Sequence, residues 1–87
     1  NKKWIMVILK TMSDGGESFN QIKSEIGDIN QKILTARLTE LEEAGFIKRE
    51  IVQEKPVKIR YSLTEKGYSF CGQIKNLLDW QEKWGGK

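Results

Sequence analysis

The sequence predicts a mainly α domain carrying a single β-hairpin (α+β), in the order helix, helix, helix, hairpin, helix. Apolar residues recur at helical spacing in four segments, and they alternate with polar ones in two short neighbouring runs between positions 47 and 63. Capping residues or glycines bracket nearly every run. The 87 residues contain no repeat, low-complexity tract or interdomain linker, so the chain reads as one domain. A domain this short buries only about 60% of the surface its unfolded chain exposes, which makes a partner subunit an early expectation.

In the first helix Trp4, Ile5, Ile8, Leu9 and Met12 form one stripe, closed by Ser13, Asp14, Gly15 and Gly16. Ser18 followed by Gln21 has the form of a capping box, and Phe19, Ile22 and Ile26 then face inward until Gly27 ends a short second helix. Asn30 is placed to cap the third helix, with Ile29 and Leu34 as its hydrophobic staple. Leu34, Leu38 and Leu41 form its inner face, flanked by Ile33, and Gly45 supplies the left-handed residue that stops it.

Ile47, Arg49 and Ile51 alternate with Lys48, Glu50 and Val52, and Ile59, Tyr61 and Leu63 alternate with Lys58, Arg60 and Ser62. Between them Glu54, Lys55, Pro56 and Val57 form the tip, where the only proline removes no ladder hydrogen bond. Thr64 then caps a last helix to about Trp84, with Leu63 and Tyr68 as its staple. Two helices joined by so short a turn and followed by a hairpin make a winged helix-turn-helix. The core of that unit is expected at about 17–63, flanked by helices at about 2–12 and 64–84.

Several function classes fall away. One cysteine, Cys71, allows no internal disulfide, and with no histidine the sequence lacks the usual zinc set and the His-dependent nucleophile systems. No glycine-rich phosphate loop and no carboxylate pair in an apolar context appears, so neither enzyme, metal site nor cofactor is expected. The longest apolar run, residues 4–9, is too short to span a bilayer and lacks signal-peptide architecture, so the expected location is cytoplasmic, away from membranes.

The formal net charge is +3, and its distribution is uneven. Residues 1–47 carry 6 basic and 7 acidic groups, whereas 48–66 carry 6 and 3. The surplus thus coincides with the hairpin, which reads either as a polyanion contact or as a solvated hairpin face. Opposite the leucine face of the third helix lie Lys32, Ala36, Thr39 and Glu43, with Thr35 at the edge and Gln31 nearer the core in the first turn. Asn30, Gln31 and Lys32 open this helix, while Glu40, Glu42 and Glu43 close it. The acidic end would repel phosphate, so the leading end, where the dipole also favours anions, is the one that can enter a DNA major groove.

There Gln31 can pair with adenine, Lys32 can reach guanine or phosphate, Thr35 can meet a base edge or a thymine methyl, and Ala36 permits close approach. Arg37 either clamps a phosphate or pairs with Glu40 on its own helix. Lys55, Lys58 and Arg60 are the expected backbone or minor-groove contacts of the wing. Lys48 and Arg49 fall on opposite faces and are left unassigned. An ordinary solvated amphipathic helix remains the plain alternative for the third helix taken by itself.

The last helix carries Phe70, Ile74, Leu77, Leu78, Trp80 and Trp84, more large apolar groups than one side of so small a domain can cover. With Trp4 they are the expected homodimer interface, which implies a palindromic double-stranded DNA operator, and packing wholly within a monomer core is the plain alternative. Cys71 lies beside this stripe and reads as an inert buried thiol, because no cation or helix start is placed to lower its pKa. The three tryptophans could line a ligand cavity, but aromatic packing alone accounts for them.

The runs Phe19-Asn20-Gln21-Ile22, Ile29-Asn30-Gln31-Lys32-Ile33-Leu34-Thr35-Ala36-Arg37-Leu38, Leu41-Glu42-Glu43-Ala44-Gly45-Phe46-Ile47 and Tyr61-Ser62-Leu63-Thr64-Glu65-Lys66-Gly67 resemble the HxlR-type winged-helix transcription regulators, relatives of the MarR group. Lys3-Trp4 and the late Trp80 and Trp84 are similar to that family's ends. The resemblance implies a homodimeric repressor or activator joined through its terminal helices, with Gln31, Lys32, Thr35 and Arg37 in the reading helix and Lys58 in the wing. Members often carry a reactive cysteine before the Lys-Trp pair. No such residue is present in this sequence, so the switch lies upstream of Asn1 or is not used. Arg60 stands where the family usually has an acid, and Asn30 replaces a more frequent serine while keeping the cap. A winged-helix protein-interaction module, and a redox- or ligand-responsive sensor variant of the same fold with an unidentified effector, are the competing expectations.

Overall fold

The computed structural model describes residues 2–85, and it has the expected element order: α1 (Lys2–Ser13), α2 (Phe19–Ile26), α3 (Gln31–Glu43), β1 (Ile47–Glu54), β2 (Val57–Leu63) and α4 (Glu65–Trp84). Four helices and one antiparallel two-stranded sheet form a winged helix. One apolar cluster holds them together. Ile8, Leu9 and Met12 of α1 meet Ile22 of α2, Leu34, Leu38 and Leu41 of α3, and Ile47 and Leu63 at the base of the hairpin. Ile29, between α2 and α3, is 2% exposed and Leu34 is fully buried, so both members of the expected staple enter the core.

The helix ends follow local chemistry. Ser18 Oγ accepts from the Gln21 amide at 3.0 Å, and Asn30 Oδ1 accepts from the Ile33 amide at 2.8 Å, each satisfying a donor that a helix start leaves open. The capping box at Ser18 is only half formed. Gln21 Oε1 accepts from the amide of Glu17, one residue before the cap, and not from that of Ser18. At the end of α3 the Phe46 amide donates to the Leu41 carbonyl and the Gly45 amide to that of Glu42, a Schellman motif with Gly45 at φ +86°. The expected staple between Leu63 and Tyr68 is not supported by burial: Leu63 is buried, but Tyr68 is 63% exposed and α4 is fixed by other contacts.

Those contacts converge where α3, β1 and α4 meet. The Thr64 hydroxyl donates to the Gly45 carbonyl at 2.5 Å and accepts from the Gly67 amide at 3.1 Å, while the Thr64 amide donates to the Phe46 carbonyl at 3.0 Å. Lys66 Nζ donates to the Ala44 carbonyl at 2.7 Å and lies 4.6 Å from the centre of the Phe46 ring. Gly67 is buried in this contact, and a Cβ there would stand 2.1 Å from the Phe46 carbonyl oxygen. The first turn of α4 therefore lies on the α3–β1 turn at a distance only glycine permits.

The hairpin pairs Ile47 with Leu63, Arg49 with Tyr61 and Ile51 with Ile59, then shifts register so that Gln53 pairs with Lys58. Val52 is the extra residue of a β-bulge. The base of the sheet is buried and the tip is exposed. On the far side of the core, Cys71 and Ile74 are half-buried, but Leu77, Leu78, Trp80 and Trp84 are exposed, so α4 projects beyond the body of the domain.

Gly67→Ala is expected to destabilise the fold by about 2 kcal/mol, because the added carbon meets backbone that cannot yield. Gly72, also in α4, has nothing within 4 Å of the same position. Gly72→Ala should stabilise by about 0.5–1 kcal/mol through helix propensity. Urea denaturation at one protein concentration measures both, and equal stability of the two variants would refute the crowded contact at Gly67.

Candidate nucleic-acid interface

The helix-turn-helix leaves the start of α3 open and exposed, because α2 is short and only four residues separate it from α3. Gln31, Lys32 and Thr35 are exposed there, at the positive end of the helix dipole. Asn30 is exposed too, but its Oδ1 is committed to the cap, which leaves its amide nitrogen to meet an outside acceptor. Ala36 was expected to point outward, and it is half-buried instead. The axial polarity is as expected: Glu40, Glu42 and Glu43 gather at the opposite end of α3.

Arg37 forms the short-range pair. Its Nη2 lies 2.9 Å from Glu40 Oε2, its side chain is 19% exposed, and its Nε is buried with no hydrogen-bond partner. The guanidinium is thus held against its own helix with one donor unsatisfied.

A groove of about 810 Å³ joins the start of α3 to the wing, and its walls include Gln21, Gln31, Thr35, Lys58, Arg60 and Tyr61. The Tyr61 amide donates to the Glu17 carbonyl at 2.7 Å, tying β2 to the segment that enters α2 and so fixing the wing beside the helix-turn-helix. Of the expected recognition and wing residues, Gln31, Thr35, Lys58 and Arg60 share this groove, whereas Asn30, Lys32, Ala36, Arg37 and Lys55 are not among its lining residues. Phe19, Asn20, Val57 and Ile59 also line it. Sequence reading placed Phe19 on the inward face of its helix and Ile59 in the strand alternation, and gave Asn20 and Val57 no role in a site.

Arg60 is paired as well. It faces Glu50 across the ladder, with Nη2 3.0 Å from Oε1. The hydrogen bond from Arg60, followed by the charge of Lys48, holds the Glu50 carboxyl below its ordinary range. Glu50 was a missed partner, and helical or strand periodicity alone could not have identified it. Lys55 and Lys58 are exposed, and no salt bridge to either is found among the described residues.

Of the residues expected at a subunit interface, Trp4 is half-buried against the core, and Phe70 is 37% exposed with its ring 5.2 Å from that of Phe46. Ile74 is half-buried, while Leu77, Leu78, Trp80 and Trp84 are each more than 45% exposed. Burial pushes the Cys71 thiol above its ordinary pKa, the direction that suppresses thiolate chemistry. No described helix is long and apolar enough to cross a membrane, and no group of potential metal ligands occurs among the described residues.

The family model for the HxlR-like helix-turn-helix matches residues 1–87. The chain is 32% identical over 84 residues to the HTH-type transcriptional regulator YvaP of Bacillus subtilis, covering 97% of this chain and 78% of that protein. It is 40% identical over 83 residues to an HTH-type transcriptional regulator of Methanothermobacter thermautotrophicus, covering 95% of this chain and 63% of its relative, less than two thirds of that length. The reduced form of the transcriptional regulator YodB from B. subtilis superimposes with a TM-score of 0.84 at 34% identity, over 94% of this chain and 80% of YodB.

A pH titration followed by carboxyl NMR should find Glu50 titrating below the ordinary glutamate value, and Arg60→Ala should move it back toward that value, with Lys48 still lowering it. Because the shift is downward, the pair contributes above the ordinary carboxylate pKa and is lost as pH falls through the lowered value. An unchanged Glu50 titration in Arg60→Ala would show that the cross-strand pair does not set it.

Proposed function

The chain belongs to the HxlR-like helix-turn-helix family of transcriptional regulators, and on that premise we propose that it binds operator DNA as a homodimer, with the start of α3 in the major groove and the wing on the backbone or minor groove. Its relatives are regulators of transcription and not enzymes. The observation that carries the reading is the groove in which Gln31 and Thr35 of α3 lie beside Lys58 and Arg60 of β2. Neutral base-reading groups are on one side and cations on the other, the division of labour between sequence reading and phosphate contact.

Gln31 and Thr35 read base edges, Lys32 reaches guanine or phosphate, and Ala36 lines the close approach. Asn30 holds the helix start and offers its amide nitrogen to phosphate. Arg37 exchanges or shares Glu40 for a phosphate through its outer guanidinium nitrogens. Lys55, Lys58 and Arg60 carry the wing.

The dimer reading rests on the projecting half of α4. Leu77, Trp80 and Trp84 fall on one side of the helix and are each 59–60% exposed, an apolar surface a monomer would leave in water. Pairing of two such helices, with Trp4 at the margin, sets a two-fold axis and hence a palindromic operator read in half-sites about one helical turn apart. Such a protein works in the cytoplasm, where the chromosome is. The winged-helix unit spans about 17–63 and the pairing helices about 2–12 and 64–84.

Binding to a random duplex pool should weaken steeply between low and physiological salt. Lys58→Ala should reduce affinity on all sequences alike and lower the salt slope by about one, whereas Gln31→Ala or Thr35→Ala should alter sequence preference. Uniform loss in all three variants would contradict these roles. Light scattering at micromolar protein should give the dimer mass, and a monomer mass there would refute pairing through α4.

A further inference from the structure

The wing carries more than charge. Val57, Ile59, Tyr61 and Leu63 alternate onto one face of β2, which runs from the buried base of the hairpin, where Leu63 is 6% exposed, to its tip, where Val57 is 64% exposed. The bulge brings Val52, 53% exposed, to the same outer region. Val52, Val57, Ile59 and Tyr61 all line the groove that Gln31 and Thr35 enter from α3. An aliphatic strip therefore continues out of the core into the proposed DNA face, and beyond Tyr61 it has no core to cover.

We propose that this strip seats in the DNA minor groove beside each half-site and selects A·T pairs there, with Val52 and Val57 as the specificity-determining residues. The proposal rests on the DNA-binding reading above and adds a second element of sequence choice to it. Two features favour DNA over a protein as the occupant. The strip is continuous with the base-reading start of α3, and the exposed Lys55 and Lys58 sit at the same tip, where their long stems let the ammonium groups reach phosphates on the groove walls.

The selectivity follows from groove chemistry. A·T and T·A pairs present only acceptors on the minor-groove floor, whereas G·C adds the guanine 2-amino donor. Aliphatic methyl groups pressed against that donor displace its water and offer no acceptor, so a G·C pair beneath the strip carries an unsatisfied group. The acceptors of both pair types lose water alike under the strip, so the amino donor is the difference between them, and flexible TA steps ease the kinking that an apolar wedge imposes.

Inosine separates this mechanism from major-groove reading, since an I·C pair has the major-groove edge of G·C but lacks the 2-amino group. A site is first selected from a random duplex pool, and its flanking pairs are then made A·T, I·C or G·C. Wild-type protein should bind the A·T and I·C flanks about equally and the G·C flank about tenfold more weakly. In the Val52→Thr/Val57→Thr double variant, which keeps branching and size, that gap should shrink to under about twofold with the salt slope unchanged. Equal binding of all three flanks by wild type, I·C as weak as G·C, or a full gap in the double variant would each overturn the proposal. Absence of any salt-sensitive duplex binding by wild type would instead overturn the DNA-binding reading beneath it.

Discussion

The arrangement depends on one junction, the contact of the first turn of α4 with the turn between α3 and β1. Thr64 spends its hydroxyl on two neighbours at once, accepting from the Gly67 amide and donating to the Gly45 carbonyl, while its amide donates to the Phe46 carbonyl. Gly67 lets the two backbones meet without a side chain between them. This knot binds the acidic end of α3, the base of the hairpin and the start of α4. The polar end of α3 is consequently the one left open, the wing projects beside it, and α4 leaves the body on the other side.

A second, smaller tie completes the proposed DNA face. The backbone bond from Tyr61 to Glu17 fastens β2 to the entrance of α2, so the wing and the helix-turn-helix share a groove instead of moving as separate arms. Around that groove the electrostatics are partly internal. Arg37 is held by Glu40 and Arg60 by Glu50, and both pairs are at least partly exposed, so each is worth little in stability. Lys58 has no such tether among the described residues, which favours it as the more direct contact in the proposed complex. Cys71, half-buried and with its thiol pKa raised, is poorly suited to rapid oxidation.

Much of this was legible in the sequence because it is local. Ser18, Asn30 and Thr64 cap their helices through bonds spanning three residues, and Gly45 ends α3 at positive φ, so residue type and spacing sufficed. What was not legible depends on tertiary contact or on register. Counting outward from a two-residue turn at Lys55 and Pro56 sets Ile51 opposite Arg60. The bulge at Val52 shifts the ladder by one, brings Glu50 opposite Arg60 and keeps Ile47, Arg49 and Ile51 on the face of Leu63, Tyr61 and Ile59. Periodicity gives Gly67 no packing role because its neighbour, the Phe46 carbonyl, lies 21 residues away in the chain. Ala36 faced outward on an ideal helical wheel, but the packing around α3 half-covers it.

The central claim is that the start of α3 and the wing form one DNA face while the projecting half of α4 serves another purpose. Amide NMR during titration with a duplex recovered from a random pool tests it most directly. The account predicts shifts concentrated at residues 18–21, 31–35 and 52–61, with 77–84 unmoved. Shifts centred on 77–84 or on the acidic end of α3, with Gln31 and Thr35 unmoved, would contradict it.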